Sequence, residues 1–99
     1  MTINISANAL AYIKSKNETS VYITLTQYST EGGIRFNPVI KWGKPEDPDR
    51  YSQVEVSGIT VFTRKDIKAL NDILDIGLTN LVVYKKLSVK GLAEENIYT

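Results

Sequence analysis

Several residue sets in this chain have types and spacings that could do chemistry. Tyr12-x-x-x-Lys16 has the spacing of a tyrosine–lysine proton-transfer pair. That chemistry also needs a dinucleotide fold with a glycine fingerprint, and none of the glycines forms G-x-G-x-x-G, so an exposed amphipathic helix is the better account. Glu46, Asp47 and Asp49 could offer oxygen ligands to a hard cation, but the EF-hand spacing and its closing glutamate are missing, which leaves a solvated loop. Arg64, Lys65 and Lys68 with Lys85, Lys86 and Lys90 could make a basic surface, and Tyr28, Trp42 or Tyr84 could stack on bases. Lys85 and Lys86 are adjacent, however, and on one strand they point to opposite faces, so ordinary solubilising charge is the simpler reading.

Two further features are weaker. Gly32-Gly33 could hold a phosphate on backbone amides, but without the lysine and hydroxyl of a P-loop it reads as a turn needing positive φ. Trp42, beside Gly43, is either an interface anchor or a partly buried edge residue. Tyr84 and Lys86 share a strand face and gain interest if Trp42 lies beside them.

The composition narrows the options more than the motifs do. Cysteine is absent, which removes a disulfide framework, a thiolate nucleophile and a sulfur ligand for zinc or an iron–sulfur cluster. Histidine is absent too, and with it the usual general base and the commonest nitrogen metal ligand. Lys+Arg 12 against Asp+Glu 11 gives a formal charge of +1, so there is no broad electrostatic case for nucleic acid or an anionic membrane. No apolar run approaches the about 18 residues a membrane span requires, and the expected setting is the cytoplasm.

The elements that must position these residues follow from period and punctuation. Thr2 to Ile5 alternates, and Ser6 reads as the N-cap of a helix through Lys16 with Ala7, Leu10, Ala11 and Lys14 on one face and Ile13 broadening it from the Ala9 row. Val21, Ile23 and Leu25 face one way on a half-buried strand while Tyr22, Thr24 and Thr26 face the other. Ile34, Phe36 and Ile40 resume the alternation, and Pro38 places that strand at an edge or on a bulge. GKPEDPDR, residues 43–50, is a loop. Tyr51 to Thr63 then reads as a hairpin turning at Ser57-Gly58, the best-patterned stretch of the chain. Beyond Thr63 the spacing of Ile67, Leu70 and Leu74 predicts a second helix ending at Gly77, and Leu81-Val82-Val83 predicts a central strand within 78–85. Leu87 and Val89 extend it after a bend, Gly91 closes it, and the segment from Ala93 is a polar tail with Ile97 and Tyr98 as anchors. Residues 1–99 are expected to form one domain.

The order of these elements, with ISANALAYIKSK near the start and YSQVEVSGITVFT in the middle, resembles the HesB/IscA-like family of A-type iron–sulfur carriers. The resemblance spans roughly Ile3 to Gly91 and implies an α+β fold, a mixed, mostly antiparallel sheet or sandwich with two helices. Carriers of that family place one cysteine just after the glycine-rich loop and a Cys-x-Cys pair near the C-terminus. Here Gly32-Gly33 is followed by Ile34, and the segment after Gly91 reads LAEENIYT, so no ligand position carries over.

The resulting expectation is a non-enzymatic scaffold or protein-interaction domain with no catalytic residues, no cofactor and no metal, whose partner is another protein, a second copy of this chain included. The alternative is a small-ligand or nucleic-acid-binding module using Tyr28, Arg35, Trp42, Tyr84 and Lys86.

Overall fold

The computed structural model describes residues 1–80 and 83–93. In chain order they form β1 (Thr2–Ile5), α1 (Ala7–Ser15), β2 (Ser20–Thr30), β3 (Gly33–Trp42), β4 (Tyr51–Val56), β5 (Ile59–Arg64), β6 (Ile73–Asn80) and β7 (Lys85–Lys90). One sheet has the order β1-β6-β7 and the other β3-β2-β5-β4. The pairs β2/β3, β4/β5 and β6/β7 are antiparallel, whereas β1/β6 and β2/β5 are parallel. The fold class is therefore α+β with mixed, mostly antiparallel sheets.

The core lies between the sheets. Val21 and Ile23 of β2 and Ile59 and Val61 of β5 meet Ile3, Leu74, Ile76 and Leu87, with Ala9 and Ile13 of α1 closing one side. Each fully buried branched side chain here stabilises the fold by roughly 1.5–3 kcal/mol relative to exposure. The period-2 alternation of β2 fits this layer: odd residues point inward, and Tyr22 on the outer face meets Tyr51 edge-on, ring centroids 6.0 Å apart.

Helix α1 starts where the sequence places it. The Ser6 hydroxyl accepts a hydrogen bond from the Ala9 amide at 3.2 Å, satisfying one orphan donor of the first turn. Its buried face differs from the expected one: Ala9 and Ile13 are buried, Leu10 is half-buried, and Ala7 and Ala11 are exposed. The narrower stripe suits a short helix whose main packing is against β6.

The hairpin at Tyr51–Thr63 is present with the expected turn. Val56 pairs with Ile59 across Ser57 (φ 51) and Gly58 (φ 86), the left-handed pair that matches the twist of the flanking strands. Only β5 is interior; β4 is an edge, and Val54 remains 37% exposed. Pro38 likewise lies on an edge, in β3, and the β2/β3 register runs unbroken from Trp42 to Gly33 without a bulge.

The second helix is not formed. After Ile67 the chain makes only a 3-10 turn at Leu70–Asp72, with Asn71 and Asp72 at positive φ, and enters β6 at Ile73. Asn and Asp tolerate that conformation and compete with helical hydrogen bonding through their side chains. Tertiary pairing holds the segment open: the Leu70 amide donates to Gly91 at 2.7 Å, the Ala93 amide donates to Lys68 at 2.9 Å, and Ala69 bridges Leu92. The spacing of Leu70 and Leu74 is thus a coincidence between an exposed turn residue and a buried strand residue. The central strand of the smaller sheet is β6, earlier in the chain than expected; Leu81 and Val82 lie outside the described residues, and Val83 is exposed. Strand β7 and the closing Gly91 stand as read, while Ile97 and Tyr98 lie outside the described residues.

Candidate interaction groove

Strands β3 and β7 are edges of different sheets and run past one another, leaving a groove of about 430 Å³ between them. Trp42, Tyr84 and Lys86 line it together with Tyr12 of α1, Lys41 and Lys85. Trp42 is the last residue of β3, and its turn away is made by Gly43 (φ 86), whose amide donates to Ser20 at 3.0 Å. The strand direction points Trp42 inward, yet it lies at the sheet's end beyond the packed layer and stays 42% exposed. Tyr84 is 56% exposed and flanks the entry to β7.

Tyr12 connects the helix to this wall. Its ring lies 6.1 Å from that of Trp42 at an interplanar angle of 45°, and its hydroxyl donates to the Lys85 carbonyl at 3.5 Å. Lys16 Nζ sits 5.3 Å from the Tyr12 centroid, so the Tyr12-x-x-x-Lys16 spacing is an i, i+4 cation–π contact on one helix face. Lys41, Lys85 and Lys86 have no carboxylate beside them among the described lining residues; Lys85 and Lys86 alternate faces on β7 and Lys41 lies on the face of β3 opposite Trp42, so their charge is spread along the rims of the groove.

Of the residues named from sequence, Trp42, Tyr84 and Lys86 come together here. Tyr28 and Arg35 face each other across the β2/β3 pair, farther along the hairpin and on the face opposite Trp42. Sequence reasoning missed Tyr12 and Lys41 as members of the same wall, since the elements that carry them meet β7 only in the folded chain. Elsewhere two ion pairs form between residues close in sequence. Arg64 makes a two-pronged contact to Asp66, with Nε donating at 2.8 Å, and this hydrogen bond is the main cause that holds its guanidinium above the ordinary value. Asp47 pairs with Arg50 at 3.4 Å, so the acidic loop balances part of its own charge. Among the described residues no group of three or more carboxylates converges as a metal site would require.

The sequence matches the CC/Se motif containing family over residues 1–92. The chain belongs to that family. This member of the CC/Se motif family contains no cysteine, so the cysteines named in the family's description have no counterpart in it. No curated protein matches the sequence. Among solved structures, Escherichia coli SufA, a protein involved in biosynthesis of iron–sulfur clusters, superposes with a TM-score of 0.66 at 13% identity over 91% of this chain and 80% of SufA. The fold resemblance to HesB/IscA-like proteins thus holds. Among the described residues it is built with one α-helix, where two were expected, and no helix is long and apolar enough to cross a membrane.

Proposed function

We propose that this member of the CC/Se motif family is a non-enzymatic binding domain that keeps the SufA-like scaffold and works by contact with another protein, seated in the β3/β7 groove. The observation that carries this reading is the exposed Trp42 and Tyr84 in a groove rimmed by lysines, with no carboxylate among its described lining residues. Exposed tryptophan and tyrosine are frequent anchors of protein interfaces, and lysines at the rim favour a segment that brings carboxylates. Cluster ligation through cysteine is closed to a chain without cysteine. Stoichiometric iron or cluster binding by the purified protein would remove the core of this reading.

The same mixture of rings and lysines favours a second reading, binding of single-stranded nucleic acid by stacking on Trp42 and Tyr84. The small net charge supports it less well. Trp42 is the sole tryptophan and reports on both. A synthetic peptide alternating Glu and Leu should shift its emission saturably, and Lys41→Glu with Lys86→Glu should abolish the shift. A response to a short oligonucleotide and none to the peptide would replace the first reading by the second.

A further inference from the structure

The β2/β3 hairpin outruns the rest of its sheet. β3 follows β2 as far as Thr30, whereas β5 pairs with β2 only from Ser20 to Ile23, and among the described residues no strand takes the place of β5 beyond that point. β5 goes on along β4 instead, the Lys65 amide donating to the Arg50 carbonyl at 2.9 Å. We propose that the bare edge of β2, Thr26 to Thr30, pairs antiparallel with the same edge of a second copy of this chain, about a two-fold axis at Tyr28.

The backbone carries the argument. The Gly43 amide donates to the Ser20 carbonyl at 3.0 Å and the Thr60 amide to the Thr19 carbonyl at 2.9 Å, so even-numbered residues of β2 turn their hydrogen-bonding groups to β3 and odd-numbered ones turn theirs to β5. The register with β3 is unbroken past Ile23, which leaves the amides and carbonyls of Leu25, Gln27 and Ser29 aimed at the open side. The other edges are protected: β3 carries Arg35, Pro38 and Lys41, β4 carries Glu55, β7 carries Lys85, Lys86 and Lys90, and β1 has only 4 residues. Residues 24–30, TLTQYST, hold no charge, proline or glycine, and Thr26 to Thr30 are all exposed, Tyr28 at 48%. A two-stranded ribbon is marginal in water, and pairing two such arms makes a four-stranded one.

The segment suits its own copy as occupant. With Tyr28 on the axis, Gln27 meets Ser29 as a hydrogen-bonded pair and Thr26 meets Thr30, so no like charges are opposed. Tyr28 and Arg35 are cross-strand partners, and the dimer would therefore carry one row of Arg35, Tyr28, Tyr28 and Arg35 across its four strands, each guanidinium on the flank of a ring. Glu31 at the tip of one arm comes level with Leu25 of the other copy, near Lys65 where β5 departs, and the two charges are opposite.

Sedimentation of the whole chain tests the pairing. A strand-to-strand contact is small for an interface, so the mass should rise from 11.1 kDa toward twice that value between about 5 μM and about 1 mM protein. Gln27→Pro removes an amide that makes no bond within one copy, and Tyr28→Lys sets two lysines opposite each other; both should stay monomeric across that range with the parent's circular dichroism spectrum. The chain has no cysteine, so a single introduced thiol reads the register. Two copies of Tyr28→Cys would stand about 4.5 Å apart at Cα, and two copies of Thr30→Cys roughly 13 Å apart, so the first should oxidise to a linked dimer at least about tenfold faster. The proposal falls if the mass stays at 11.1 kDa throughout, if Gln27→Pro and Tyr28→Lys associate as the parent does, or if Thr30→Cys links as fast as Tyr28→Cys. It falls as well if Trp42→Ala abolishes the dimer while Gln27→Pro keeps it, which would move the contact to the β3/β7 groove.

Discussion

Replacing Gly91 by alanine should be among the most damaging single-methyl additions the chain can receive. Gly91 has φ +106, and a Cβ built on it would stand 2.6 Å from the Ile73 carbonyl oxygen, closer than such atoms pack. Neither side can yield freely. The Gly91 carbonyl accepts from the Leu70 amide at 2.7 Å, and Ile73 opens β6, in register with Thr2 of β1. Positive φ costs an L-residue roughly 1–2 kcal/mol, and the backbone shift needed to relieve an overpacked contact adds typically about 1–3 kcal/mol. The expected loss is therefore about 2–5 kcal/mol, and since each kcal/mol moves the midpoint of a domain this size by roughly 4–8 °C, the melting temperature should fall by at least about 8 °C. Gly58→Ala is the matched control, because Gly58 has φ +86 but nothing within 4 Å of its built Cβ, so only the conformational part applies. Thermal unfolding followed by circular dichroism measures both. A Gly91→Ala protein melting within about 3 °C of the parent, or no lower than Gly58→Ala, would refute the reasoning.

Three further outcomes are expected. Leu74→Ala, at a residue with 0% exposure in the centre of the smaller sheet, should lower unfolding free energy by about 2–5 kcal/mol in a denaturant titration. Ser57→Asn should raise the melting temperature slightly, because asparagine suits the left-handed first turn position that serine now occupies at φ 51. Ser6→Ala should cost about 0.5–2 kcal/mol by removing the cap on the Ala9 amide, with faster amide exchange confined to the first turn of α1.

What could be read from the residues alone was local. The Ser6 cap, the alternation of Val21, Ile23 and Leu25, the turn at Ser57-Gly58 and the edge position of Pro38 each follow from one side chain or one short period. The second helix failed because its evidence was a spacing, and the Asn71-Asp72 reversal with the Gly91 pairing outweighed it. The groove was half legible: exposed aromatics and lysines can be nominated from sequence, but that Trp42 and Tyr84 share a wall with Tyr12 depends on two strands of different sheets coming together. The Thr63 hydroxyl, buried with no partner among the described residues, was hidden for the opposite reason, since threonine in a strand is ordinary until its surroundings are known.

The parallel pairing of β1 with β6 also sets an order of events. Asn4 and Asp75, which hydrogen-bond at 3.2 Å, are 71 residues apart in the chain, whereas the hairpins β2/β3 and β4/β5 close over short turns. Closing so long a loop loses entropy before any contact compensates it, so the two hairpins should assemble first and the opening strand should wait for β6. During synthesis β1 would emerge well ahead of its partner β6, and Ile3 would stay in water until Leu74 and Ile76 arrive to bury it.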